Sequence, residues 1–233
     1  MAVIDRVLIG EALVIEDRPD GSGLDLKNVA HIDLIMGPRG SAAEDAFCRT
    51  LTDQKEGVNG LLAIVAPNMM VKPNTVMFNK VTLRNTKQSL QMFGPAQRGI
   101  SMAVMDCVAD GTIPIEEADD VFICIGVFID QTADMDERLQ DWNYEATKQA
   151  IKNAIAREPK AADLIKTYKE SAHPFAARNK EDRNRRVSDI AVNEMKERSK
   201  SVAKQAADVA SRIAADKSAE VAIKQMKSRK SYS

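Results

Sequence analysis

The chain has 233 residues, a formal net charge of −1 and three cysteines. That is enough for one domain with a substantial core and an extension beyond it. Cys48, Cys107 and Cys124 lie far apart with no Cys-x-x-Cys pair, which argues against a disulfide framework or a zinc site and for a reducing cytoplasm.

The near-zero net charge hides an asymmetry. Residues 1–178 hold 19 Lys+Arg against 26 Asp+Glu, while residues 179–233 hold 14 against 8. An acidic body followed by a basic tail marks a segment boundary, and the division is a domain over 1–177 and a charged helical extension over 178–233. The opening Met-Ala-Val-Ile-Asp-Arg lacks the basic-then-apolar pattern of a signal peptide. No apolar stretch reaches the roughly 18 residues that a membrane span takes.

In chain order, residues 3–15 are rich in β-branched residues and predict a strand. Residues 16–27 cluster Pro, Gly and Asp and predict a loop. A second strand, 28–36, carries His31 and Asp33. The Gly-Pro-Arg-Gly run at 37–40 breaks it, and Ser41 stands three residues before Glu44, a capping-box spacing that starts a helix over 41–54. Residues 61–66, Leu-Leu-Ala-Ile-Val-Ala, are continuously apolar and predict one buried strand. A strand over 75–83 and a short helix over 85–92 follow. Gly94-Pro95 then starts a longer helix to about Ala109, ended by Gly111 and Pro114. Residues 121–129 are a strong strand. After Gly126 there is no glycine, and helices are predicted over 134–157, 160–171 and 179–228. Alternating strands and helices give an α/β or α+β body. In the tail, Val192, Met195, Val202, Ala206, Val209 and Ile213 form a narrow apolar stripe. Three readings stay open for it: a helix docked on its own body or a neighbour's, a basic arm for nucleic acid or another acidic partner, or a helix without a specific contact.

Two-residue spacing on a strand puts side chains on one face, so His31 pairs with Asp33, and Lys80 with Thr82. Polar groups facing a buried surface are costly unless partnered. Imidazole gives and takes protons near neutral pH, although on spacing alone a single strand histidine is more often a satisfied core residue than a ligand. Lys80 and Thr82 suit a carbonyl or carboxylate, and Gln97 an amide edge; an exposed lysine, a β-favouring threonine and a helix-cap glutamine are the plainer readings. Residues 37–40 could receive an anion before the helix, with a tight turn the simpler account. His173, in Ala-His-Pro-Phe, is a packing residue. Spacing thus yields a polar pocket on a mixed sheet and names no reaction.

Several blocks together resemble one family. They include Ala30-His31-Ile32-Asp33, Gly37-Pro38-Arg39-Gly40-Ser41, Ala66-Pro67-Asn68, Lys72-Pro73-Asn74-Thr75 and Met77-Phe78-Asn79-Lys80-Val81-Thr82. Further on stand Gln91-Met92-Phe93-Gly94-Pro95-Ala96-Gln97, Asn143-Tyr144-Glu145-Ala146-Thr147-Lys148 and His173-Pro174-Phe175-Ala176. Over about 1–177 the chain resembles the formaldehyde-activating enzymes, tetrahydromethanopterin-dependent lyases of one-carbon metabolism. The resemblance implies an α+β fold like the second domain of ribosomal protein S-five and a ring-shaped homopentamer, with the pterin between neighbouring subunits. It implies His31 as acid/base catalyst and Asp33, Leu62, Lys80, Thr82 and Gln97 as substrate-binding residues. The partners it implies are formaldehyde and the reduced pterin as co-substrate, with no metal, membrane or nucleic acid. The chemistry agrees: carbinolamine formation, dehydration to an iminium and ring closure take proton transfer and orientation, which one histidine in a shaped site supplies.

An alternative reading is a diverged paralogue, non-catalytic or of altered specificity, that binds a pterin, a related carbonyl adduct or a partner protein. It rests on the long acidic loop 16–27, on Arg98 after Gln97, and on the tail.

Overall fold

Alternating burial organises the first two strands. In β1 (Leu8–Val14), Leu8, Gly10 and Ala12 are buried while Ile9 and Glu11 are exposed. In β2 (Ala30–Pro38), Ala30, Ile32, Leu34 and Met36 are buried, His31 is half-buried, and Asp33 and Ile35 are exposed. Successive side chains point to opposite faces, so each strand has a core face and an open face. The computed structural model describes residues 2–18, 20–169 and 171, and one compact unit extends to Thr167. The predicted extension over 178–233, its long helix and His173 lie outside the described residues.

Five strands form one mixed sheet in the order β1-β2-β7-β6-β3, with β3 (Gly60–Leu62), β6 (Asn74–Asn79) and β7 (Val121–Val127). Neighbours are antiparallel except β6 and β7, which run parallel. The chain crosses between those two through α2 (Thr86–Gln91) and α3 (Gln97–Ala109). The central strand β7 is buried along its whole length.

The two faces of the sheet are treated differently. On one, α3 and α4 (Asp136–Ala156) bury Ile100, Val104, Leu139 and Ile151 against Ile32, Leu34, Ile123 and Ile125. Each such side chain contributes about 1.5–3 kcal/mol on burial. The fit is close: a methyl group added at Gly10 would stand 2.1 Å from the Ala150 carbonyl oxygen, so α4 rests directly on β1. On the other face α1 (Ala42–Thr52) covers one end only, burying Phe47 against Val76, Phe122 and Cys124. The Phe47 and Phe122 rings meet edge to face at 5.2 Å. The far end of that face is open, and the charged residues lie there.

The α1 start follows its sequence signal. Ser41 Oγ accepts from the Ala43 N–H at 3.2 Å, and Glu44 reaches back to the Gly40 N–H at 2.6 Å, one residue earlier than a capping box requires. Gly40 takes φ +77° to make the turn. Arg39 pairs with Asp120 and Glu44 and lies over the Phe122 ring. Residues 37–40 are therefore a turn whose cation is already engaged.

Three predicted elements are corrected. The apolar run 61–66 is two strands: β3 ends at Leu62, and β4 (Ile64–Ala66) pairs with β5 (Met69–Met70) in a separate two-stranded sheet. Ala63 is the pivot, donating to the Thr75 carbonyl and accepting from the Val71 N–H, and Asn68 turns the hairpin at φ 64°. An unbroken apolar run cannot distinguish one strand from two. Gly94-Pro95 does not start a helix. Asn85 caps α2, and α2 passes through a π-helical turn, Met92–Ala96, into α3. The wider turn loosens the ladder where Pro95 has no N–H to give. Lastly, β6 stops at Asn79. The Asn79 amide donates to the Gly57 and Val81 carbonyls at 2.6 Å each, which bends the chain away, so Thr82 does not continue the strand face of Lys80. The last described helix is α5 (Ala161–Thr167). Among the described residues no helix is long and apolar enough to cross a membrane.

Candidate active site

Strand pairing on the open face assembles a charged cluster. Glu11 stands directly opposite Asp33, and Asp33 opposite Gly126 of β7. Lys80, one residue past β6, keeps its backbone tied to the sheet through the Val127 carbonyl at 2.8 Å. Gly126 has no side chain to fill the space over β7; a methyl group there would meet Lys80 Cγ at 3.1 Å and Phe78 Cζ at 3.0 Å. The lysine stem therefore lies across the glycine and carries its ammonium to β2.

The imidazole of His31 is held at both nitrogens. Nδ1 is 3.2 Å from Lys80 Nζ, and Nε2 is 3.0 Å from Glu11 Oε1 and 3.5 Å from Asp33 Oδ1. Asp33 closes the ring of contacts through an ion pair with Lys80. The side chains of His31 and Lys80 are 34% and 20% exposed, so the cluster is anchored yet reachable. His31 is not a core residue, and its polar neighbours are supplied by the chain itself.

The other predicted residues fall into two places. Gln97 donates its amide to the Leu62 carbonyl at 3.1 Å; Leu62 packs beside the Phe47–Phe122 cluster. Thr82 lies against Gly57 and lines a cleft of about 220 Å³ with Arg84, Gln88, Phe128 and Asp130. Phe128 donates its backbone N–H to the His31 carbonyl, which puts that cleft one strand step from the cluster. Among the described residues no hydrogen bond or ion pair joins Leu62 or Gln97 to His31. The structure thus brings His31, Asp33 and Lys80 together, sets Thr82 beside them, and keeps the Leu62–Gln97 pair apart.

Two contributors escaped the sequence reading. Glu11 lies on β1, and only the register of β1 on β2 brings it to His31. Gly126 shows its use only once Lys80 is seen to cross it. The acidic loop 16–27, by contrast, does not feed the cluster through Asp25, which is turned inward and only 4% exposed. Its carboxylate accepts from the Asn28 amide at 2.8 Å and from the Lys27 N–H at 3.1 Å, with Arg138 at 3.5 Å. Burial pushes this carboxyl up, but the Asn28 and Lys27 hydrogen bonds and the Arg138 charge outweigh it and hold the group below its ordinary value of 3.8. Asn28 also donates to Asp134 and accepts from the Asp134 and Met135 N–H groups at 3.0 Å each.

The two buried thiols offer no nucleophile. Burial pushes Cys107 up to about 11 and raises Cys124 as well, which suppresses the reactive thiolate. Among the described residues no group of three or more His, Cys, Asp or Glu could hold a metal ion. What the open face offers is an imidazole between two carboxylates and an ammonium.

Comparison with known proteins places these residues in context. The family model described as formaldehyde-activating enzyme matches residues 9–176. The chain is 44% identical over 171 residues to a 5,6,7,8-tetrahydromethanopterin hydro-lyase of Methanosarcina barkeri, covering 73% of this chain and 91% of that protein. It is 39% identical over 170 residues to a bifunctional enzyme Fae/Hps of Archaeoglobus fulgidus, covering 73% of this chain and 41% of the relative. A third relative, the bifunctional enzyme Fae/Hps of Methanoculleus marisnigri, is 38% identical over 166 residues, 71% of this chain and 40% of its own length. The chain spans about two-fifths of these bifunctional relatives and nearly all of the hydro-lyase.

Proposed function

The chain belongs to the formaldehyde-activating enzyme family, and from that premise we propose that it condenses formaldehyde with tetrahydromethanopterin to give methylene-tetrahydromethanopterin and water. His31 is the general acid and base. Asp33, Leu62, Lys80, Thr82 and Gln97 bind the substrates. The observation that carries this reading is the seating of His31 between Glu11 and Lys80 on an open, half-buried face.

One pterin amine attacks the formaldehyde carbon, and its proton passes to the carbonyl oxygen to give the carbinolamine. The hydroxyl leaves as water once His31 protonates it, and the nitrogen lone pair forms the iminium. The second amine closes on the iminium carbon, and its proton returns to His31. Protons balance over the cycle and one water is released. Proton transfer by a placed side chain contributes roughly 10²–10⁴-fold. The carboxylate of Asp33 favours the cationic iminium electrostatically, and the Thr82 cleft orients the pterin.

A homopentamer with the fold of the second domain of ribosomal protein S-five and a cleft between neighbouring subunits, working in the cytoplasm, completes the reading. Two observations support a neighbour at this face. Ile9 and Ile35, paired across β1 and β2 in the row next to Glu11 and Asp33, are 72% and 36% exposed, and adjoining exposed apolar side chains mark contact surfaces. The Leu62–Gln97 pair also stands apart from the cluster, as a cleft shared between copies requires. Truncation after Ala177 should leave pterin binding intact.

The test is the rate of methylene-pterin formation above the uncatalysed background, with and without protein. Acceleration that His31→Ala abolishes supports the reading. Pterin binding without acceleration assigns the chain to the non-catalytic alternative.

A further inference from the structure

The two ring nitrogens of His31 have partners of opposite kind. An ammonium has hydrogens to donate and no acceptor, so the neutral imidazole must present its lone pair to Lys80 at Nδ1, 3.2 Å away. Its hydrogen then sits on Nε2, facing carboxylates. Of the two, Glu11 at 3.0 Å is within hydrogen-bonding range, and Asp33 at 3.5 Å is beyond it. Asp33 is also committed to Lys80 through its other oxygen.

Glu11 is placed by the body of the protein. Gly10 beside it packs on the Ala150 carbonyl of α4, and the Glu11 carbonyl accepts from the Asn153 amide of the same helix at 3.0 Å. Both contacts pin β1 at this row. With its backbone fixed and its side chain turned to the open face, the carboxylate stands 3.0 Å from Nε2, and among the described residues this is its one side-chain ion-pair contact.

We propose that Glu11 is the positioning residue of His31: it accepts the Nε2 hydrogen, fixes that tautomer and ring orientation, and leaves Nδ1 as the nitrogen that exchanges protons with the substrate. This rests on the role of His31 proposed above. When Nδ1 takes the proton from the closing amine, it no longer accepts from Lys80, whose ammonium remains paired with Asp33. When Nδ1 gives that proton to the departing hydroxyl, the lone pair faces Lys80 again. Throughout, Nε2 keeps its hydrogen and Glu11 remains an unprotonated acceptor, as an orienting carboxylate behind a catalytic imidazole does.

The experiment uses the full chain, made with histidine carrying ¹⁵N at Nε2 or at Nδ1. The sequence holds only two histidines, so His31→Ala assigns the spectrum. At a pH where the ring is neutral, the wild type should show a protonated Nε2 and an unprotonated Nδ1. Glu11→Ala should mix the tautomers and lower kcat by roughly 10- to 100-fold, the loss typical when the partner that orients a functional histidine is removed, with KM little changed. Glu11→Gln keeps an acceptor oxygen and should restore the tautomer and most of kcat. A hydrogen on Nδ1 in the wild type overturns the proposal. So does a Glu11→Ala protein with either an unchanged spectrum or an unchanged kcat. The tautomer is read without turnover, so inactivity of the wild type would defeat the proposed reaction and leave the Glu11–His31 assignment standing on its own spectrum.

Discussion

Two charged clusters flank the ordered start of β2, and they have opposite fates. At Asp25 and Asn28 the polar groups are buried and paired in every direction: loop to amide, amide to Asp134, carboxylate to Arg138. Three residues on, Glu11, His31, Asp33 and Lys80 hold a similar mixture of charge on an open face. A buried, saturated network has nothing left to offer a substrate and serves as a latch, here between the 16–27 loop and the start of α4. An open network with a titratable ring between unlike partners has protons to exchange. Exposure separates the latch from the site more sharply than composition does.

Substitutions can break this comparison from either side. The largest effect should come at His31: His31→Ala should lower the rate of methylene-pterin formation roughly 10²–10⁴-fold while thermal unfolding stays within about 0.5 kcal/mol of wild type, as for a surface change. Turnover like wild type's would put the chemistry elsewhere. The mirror image is Asn28→Ala. It removes the amide donor to the buried Asp25 carboxylate and the acceptor of two backbone N–H groups, and should cost about 2–4 kcal/mol in chemical unfolding with kcat unchanged in the folded protein. A rate loss in that variant without destabilisation would merge the two clusters into one site.

Smaller effects sharpen the contrast. Gln97→Ala should weaken pterin binding by about 0.5–1.5 kcal/mol, seen in KM or by calorimetry, and leave the bound-state rate nearly intact; a pure loss of rate would make Gln97 part of the chemistry. The least effect is in the pH dependence of stability. Because the folded protein holds Asp25 below 3.8, its contribution is present above that value and is lost as the pH falls through the lower folded-state value. In urea unfolding between about pH 2 and 7, Asp25→Asn should be less stable than wild type at neutral pH, and the difference should shrink on acidification. A difference independent of pH would mean that the carboxylate charge contributes nothing to the latch.

Much of this was legible in the sequence. The β-branched run at 3–15 located β1, the strand read over 28–36 located β2, the Ser41–Glu44 spacing located α1, and the apolar run at 121–129 located the central strand. The β2 motif put His31 and Asp33 on one face, as found. What local pattern could not carry was pairing and bending. Glu11 joins His31 through the register of two strands separated by a loop, information that neither strand holds alone. Thr82 left the Lys80 face because the Asn79 amide captures two carbonyls and turns the chain. The apolar run 61–66 hid a pivot at Ala63, and the Gly94-Pro95 pair, read as a helix start, sits inside a π-helical turn. Each miss is a tertiary hydrogen bond or an irregular turn overriding a local propensity.

The position of β7 between β2 and β6 also sets an order of assembly. Glu11 and His31 meet within a single antiparallel strand pair joined by the loop between β1 and β2, a contact of far smaller sequence separation than the pairing with β7. Lys80 cannot reach them until β7 has inserted, because its stem crosses Gly126, and that insertion joins Ile32 to Val127 across most of the described chain. Pairings of such long sequence separation form late and set folding rates. A nascent chain therefore holds its imidazole beside one carboxylate well before it has a working site. Competence arrives as a late cooperative event, when the last central strand is threaded into the sheet.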